Sequence, residues 1–264
     1  MITSVKNPLV KQLKKLHQAK GRREEDQFLI EGTHLLQEAL AVDYSLDFVC
    51  CTSDWQEKYP DDYDRAVQHT SVELVSEPVL QAIATTVNPD GVVAVAQRRS
   101  IAPHRPLQVA LGLERLQDPG NLGTIIRAAT AAGTDQLWLS DDCVDLDHPK
   151  VLRASAGQWF RMPMQVAGDL RSTVGDLKAQ GVKIVATLPT AELSYWEADL
   201  RSPVMVLLGN EGAGLSEALT AEADTAVRIP LAPGVESLNV AVTAALLLYE
   251  IRRQQTQGPT DRPF

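Results

Sequence analysis

The sequence predicts an α/β protein of two domains, the second built on a mostly parallel sheet with helices on both faces. Two observations carry this. Short apolar runs rich in Val, Leu, Ala and Ile alternate with amphipathic stretches along much of the chain, as strands linked by crossover helices do. A stretch without periodicity, residues 98–106, carries two prolines and breaks the alternation. It sets a first domain at residues 1–100, a linker at 101–107 and a second domain at 108–264.

Taken in order, Asn7-Pro8 opens a helix, with Asn as cap and Pro at the first helical position. Leu9, Leu13 and Leu16 share one face of it, and Lys11, Lys14 and Lys15 lie off that face. Strands at 28–30, 47–51, 72–75 and 92–96 alternate with helices at 33–41, 61–68 and 77–84. After the linker, a strand at 109–113 leads to a helix at about 120–132. Further strands lie at 136–139, 182–186 and 204–208, and a strongly apolar helix spans about 238–253.

The chain has 264 residues, 44% of them apolar, which supports a full core and excludes a disordered polymer. Its net charge of −9 argues against a protein that coats nucleic acid without selectivity. That average hides an asymmetry. Residues 1–23 hold Lys6, Lys11, Lys14, Lys15, Lys20, Arg22 and Arg23 and no acid, whereas residues 24–100 hold four bases and fifteen acids. A helix face so charged is either ordinary solvated surface or a contact for RNA phosphates, and the missing acids favour the second. Cys50, Cys51 and Cys143 form no CxxC pair and are odd in number, which points to reduced thiols and against a zinc site. The longest apolar stretch, 240–249, is about half a membrane span, and the N-terminus lacks the apolar core of a signal peptide. A cytoplasmic location is expected.

Three segments of the second domain place glycines and polar side chains where a plain fold has no need of them. At 113–129 a strand runs through Pro119-Gly120 into a helix, with Asn121 and Arg127 six residues apart; a capping Asn and a surface Arg would read the same way. At 204–216 a buried strand enters a loop with Gly209, Gly212 and Gly214 around Glu211. The spacing is GxxGxG rather than the dinucleotide GxGxxG, and Glu211 would repel a phosphate. The loop suits a neutral or cationic ligand, or a ribose hydroxyl. At 229–242 Ser237 and Asn239 head the apolar helix, where Ser237 could serve as its cap. Asn, Arg, Glu and Ser without His or Cys make a poor metal site or nucleophile, so no metal is expected.

In this order and spacing the three segments resemble the motifs of the SpoU (TrmH-like) class of SPOUT RNA ribose methyltransferases. The resemblance is carried by LERLQDPGNLGTIIRAA, GNEGAGLS and IPLAPGVESLNVAVTAALLLYE and covers about residues 108–253. NPLVKQLKKLHQAKGRR and FLIEG are similar to the substrate-binding domain that precedes many such enzymes. The resemblance implies methyl transfer from S-adenosylmethionine to a ribose 2′-hydroxyl of ribosomal RNA, with transfer RNA as one alternative substrate. A catalytically silent RNA-binding protein on the same fold is the other alternative. It implies a deep trefoil knot in the catalytic domain, a rare exception among chains. It also implies an N-terminal α/β/α RNA-binding domain like a ribosomal protein, and a homodimer formed through the catalytic domain. The implied catalytic set is Asn121, Arg127, Glu211, Ser237 and Asn239. The implied cofactor set is Thr187, Leu188, Gly209, Asn210, Glu211, Gly212, Ile229, Leu231, Ser237 and Leu238. RNA contacts are expected from the seven basic residues between Lys6 and Arg23 and from Arg127. A guanidinium stays protonated, so Arg127 is expected to hold phosphate and a developing alkoxide rather than to act as base.

Overall fold

The Asn-Pro pair starts the first helix as the sequence predicts: the Asn7 side chain accepts from the Leu9 N–H at 2.9 Å, and α1 spans Pro8–Lys15. The computed structural model describes residues 1–103, 105–201 and 203–256. His104 in the expected linker and positions 257–264 of the expected second domain lie outside the described residues.

After α1 come α2 (Ala19–Glu25), β1 (Gln27–Glu31), α3 (Thr33–Ala41), β2 (Leu46–Cys51), α4 (Ser53–Lys58), α5 (Pro60–His69), β3 (Ser71–Leu74), α6 (Glu77–Ile83) and β4 (Val92–Gln97). Next are β5 (Val109–Leu113), α7 (Pro119–Ala132), β6 (Gln136–Ser140), α8 (Pro149–Ala154) and a 3-10 turn at Gln158–Phe160. The chain continues with β7 (Met164–Ala167), α9 (Leu170–Ala179), β8 (Lys183–Thr187), β9 (Leu193–Ser194), β10 (Val204–Leu208), α10 (Glu217–Thr220), β11 (Thr225–Arg228) and α11 (Val240–Thr256).

These elements form two units: Met1–Arg99 with Asp145–Arg161, and Ser100–Val144 with the chain from Met162 onward. The first unit carries a four-stranded sheet in the order β1-β4-β2-β3. In it β4 runs antiparallel to β1 and β2, and β3 lies parallel to β2. Residues 145–161 belong to this unit because Trp159 packs at a tilt against Phe28 and edge-on against Tyr44, with ring centroids 5.0 and 5.9 Å apart. Asp145 and Asp147 also bind the buried Arg22 guanidinium at 2.8 and 3.1 Å. Nothing local in residues 145–161 announces those partners.

The second unit carries seven parallel strands in the order β7-β6-β5-β10-β8-β11-β9. Central β10 is buried along its whole length, at most 3% exposed, which is why it reads as an unbroken apolar run. Each such Val or Leu contributes roughly 1.5–3 kcal/mol of burial. Of the strands that the sequence pattern did not show, β9 has only two residues, and β7 and β11 have four each without the in-out alternation that the equally short β3 displays. Helix α2 was also unmarked, since AKGRREE has no apolar stripe. Among the described residues no helix is long and apolar enough to cross a membrane.

Candidate active site

Parallel strands send all their carboxyl ends to one edge of the sheet, the place where open α/β folds hold ligands. Here the loops that leave β8, β10 and β11, and the start of α7 after β5, meet around a cleft of about 600 Å³. All ten positions expected at the cofactor line it. Thr187 and Leu188 come from the end of β8, residues 209–212 from the loop after β10, and Ile229, Leu231, Ser237 and Leu238 from the loop after β11.

The loop after β10 is folded by its own Asn210. The Oδ1 atom accepts from the Gly212 and Ala213 N–H groups at 2.9 Å, and Nδ2 donates to the Arg115 carbonyl at 2.8 Å. The Asn210 and Gly214 backbones exchange two further hydrogen bonds. Glycine is required twice: a Cβ at Gly209 would overlap the Gly214 backbone, and Gly214 has φ +69°.

Asp118, not Asn121, caps α7, its side chain accepting from the Asn121 N–H at 2.9 Å. The Asn121 carboxamide is thereby left to face the cleft. Its Nδ2 donates to Glu211 Oε1 at 3.1 Å, and its Oδ1 accepts from Asn239 Nδ2 at 2.8 Å. Asn239, not Ser237, caps α11, accepting from Ala241 N–H at 2.9 Å. The helix begins at Val240, two residues later than expected, and the Ser237 hydroxyl makes no hydrogen bond among the described residues. One chain of hydrogen bonds thus joins the three segments in the order Asn239, Asn121, Glu211. Burial alone would raise the Glu211 pKa. Hydrogen bonds from Asn121 and from the N–H groups of Glu211 itself, Asp118 and Gln117 more than offset it, and the pKa is lowered.

The region 108–249 matches the SpoU rRNA methylase family, and 7–94 matches the MRM3-like substrate binding domain. The chain belongs to the SpoU rRNA methylase family. This SpoU methylase is 49% identical over 264 residues to an uncharacterized tRNA/rRNA methyltransferase of Synechocystis sp., spanning 98% of this chain and 96% of that one. It is 38% identical to the 23S rRNA (guanosine(2553)-2′-O)-methyltransferase RlmP of Bacillus subtilis, over 95% of this chain and 98% of that protein. The AdoMet-bound rRNA methyltransferase of Sinorhizobium meliloti shares its fold with a TM-score of 0.85 at 34% identity, over 96% of this chain and 97% of that one.

Arg127 stands apart from the rest of the expected catalytic set. It is exposed on α7, does not line the cleft, and makes no hydrogen bond or ion pair among the described residues, so it does not touch Glu211. Its guanidinium is open to a ligand from solvent. Of the basic segment, Lys6, Lys11 and Lys14 of this SpoU methylase are exposed without ion pairs among the described residues. Lys15 and Lys20 lie 3.0 and 3.7 Å from Glu25 and Glu24, and exposed Arg23 lies 3.0 Å from Asp145. Arg22 corrects the sequence expectation. It is 1% exposed, and its donors go to Asp145, Asp147 and the carbonyls of Leu16 and His17, which leaves it out of reach of RNA.

The cleft holds features that the sequence reading did not single out. Glu236 and Thr243 line it, the first beside Ser237 in the same loop and the second one turn after Asn239 on α11. The Asp118 cap was legible from Asp-Pro, a cap followed by proline at the first helical position.

Proposed function

We propose that this SpoU methylase transfers the methyl group of S-adenosylmethionine to a ribose 2′-hydroxyl of ribosomal RNA. The observation that carries this reading is the hydrogen-bonded chain Asn239–Asn121–Glu211 at a cleft whose lining, among the described residues, holds acids and no base. Such a lining disfavours a phosphate-bearing dinucleotide and fits a sulfonium cofactor. The Thr187 Oγ1 atom is buried on the cleft without a hydrogen-bond partner, a polar atom that a ligand hydroxyl or amine would satisfy. Two relatives support the reading: the Sinorhizobium meliloti methyltransferase carries bound AdoMet, which is S-adenosylmethionine, and RlmP is named for 2′-O-methylation of 23S rRNA.

S-adenosylmethionine supplies an activated methyl group, so the chain's own tasks are alignment and disposal of one proton. The loops after β8, β10 and β11 would hold the cofactor, through Thr187, Leu188, residues 209–212, Ile229, Leu231, Ser237 and Leu238. Asn121 and Asn239, locked to each other and to Glu211, would orient the ribose. Glu211 has a lowered pKa and carries several donors, which makes it a weak proton acceptor. The proton then passes to phosphate or water. Arg127, outside the cleft lining, binds the RNA phosphate and stabilises charge developing on the 2′-oxygen.

The first unit would grip the RNA with Lys6, Lys11, Lys14, Lys15, Lys20 and Arg23. Val242, Leu246 and Tyr249 are exposed apolar residues on α11 that, with Thr124 and Ala128 of α7, line an apolar groove suited to a second copy of the chain. A homodimer, the trefoil knot and a cytoplasmic site of action complete the reading.

Arg127→Ala tests it. Incubated with labelled S-adenosylmethionine and ribosomal RNA, the variant should lose at least about a hundredfold in transfer, the size of a missing oxyanion donor. Its calorimetric affinity for the cofactor should stay within about twofold, because Arg127 lies off the cleft. Equal turnover by both proteins, or label in a base rather than on a ribose 2′-oxygen, overturns the reading.

A further inference from the structure

Resting on the cofactor reading above, we infer that Glu236 recognises the positive charge of the methyl donor and so separates it from the uncharged thioether product. Among the described residues lining the cleft, two are formally charged, Glu211 and Glu236, and both are acids. Glu211 is committed to Asn121 and to the N–H groups of Gln117 and Asp118 at the start of α7. Glu236 is exposed and makes no hydrogen bond or ion pair among the described residues. Its place is set by the turn before it. The Val235 N–H donates to the Ala232 carbonyl at 3.2 Å, with Gly234 at φ +85°, a conformation that favours glycine. That turn carries the chain from Leu231 to Ser237, both on the cleft, with Glu236 on the cleft between them.

Donor and product differ by one charge at one atom. Transfer forms an O–CH₃ bond and breaks an S–CH₃ bond, whose electron pair returns to sulfur, and the hydroxyl proton is released. A cleft with two acids and no base therefore favours the donor before transfer and loosens its hold afterwards. Since Glu211 is engaged with protein donors, Glu236 is the carboxylate available to make the distinction.

Calorimetric titration of the full chain with S-adenosylmethionine and, separately, with S-adenosylhomocysteine tests this without reference to turnover. Glu236→Gln should weaken the donor about five- to tenfold and the product less than about twofold, the size of one charge pair at a solvent-facing rim. Glu236→Asp, which keeps the charge, should retain most of the wild-type preference. High salt should narrow that preference in the wild type. Loss of both ligands by the same factor, or of neither, in a Glu236→Gln protein with an unchanged melting curve overturns the inference alone. A wild-type chain that binds neither ligand overturns the cofactor reading and this inference with it.

Discussion

Arg22→Met separates a structural arginine from an RNA-binding one. The side chain is 1% exposed, and it donates to Asp145 at 2.8 Å, to Asp147 at 3.1 Å, and to the carbonyls of Leu16 and His17 at 3.1 and 3.2 Å. Methionine keeps much of the volume and removes every donor. The Asp147 side chain, 2% exposed, is then left with Arg98 as its ion-pair partner. Removing one side of a buried ion pair costs about 3–5 kcal/mol, and two orphaned carbonyls press the loss toward the upper value. For a unit of this size that lowers the melting temperature by roughly 10–20 °C.

The loss also has a pH signature. Burial already raises the Asp147 pKa against the pull of Arg98 and Arg22, and without Arg22 it rises further. An acid raised in the folded state favours the protonated fold, so the penalty grows as pH climbs through that raised pKa and shrinks below it. The assay is urea unfolding followed by tryptophan fluorescence at acid and neutral pH, with exposed Lys14→Met as the control. A loss under about 1 kcal/mol, combined with weakened RNA binding, would refute the structural assignment.

Replacing Lys6, Lys11 and Lys14 together with Gln should leave stability unchanged and reduce the slope of log affinity for ribosomal RNA against log salt by about two to three. An unchanged slope removes these lysines from the RNA contact. Asn121→Asp places a second carboxylate where Nδ2 now lies 3.1 Å from Glu211. Two such acids share a proton and one pKa rises, so methyl transfer by this variant should fall at least about tenfold at pH 8.5 and partly recover toward pH 6. Asn121→Ala, which adds no charge, should lose activity without that recovery, and matching pH profiles for the two variants would rule out the shared proton.

The stretches that line the cleft lie far apart along the chain, but the loop after β10 could be read because its folding signals are local. The strand Val204–Leu208 is apolar throughout, and the glycines of GNEGAGLS fold against their own Asn210, so a contiguous string specifies both strand and loop. Helices with an apolar stripe were equally plain, as at Thr33–Ala41 and at Pro8–Lys15, where Asn7 also supplies a cap. What stayed hidden depends on partners far along the chain. Asn121 and Ser237 both resembled helix caps. The structure gives those places to Asp118 and Asn239, which turns the Asn121 carboxamide to Glu211, ninety residues away. Arg22 sits in a run of bases and looked like its neighbours, yet 123 and 125 residues later two aspartates take its charge. Local pattern determines which segments become strands, helices and glycine loops, since propensity and periodicity act over a few residues. Whether a polar side chain caps, binds or is buried in an ion pair depends on desolvation and on which distant groups can satisfy it, and that only tertiary packing decides.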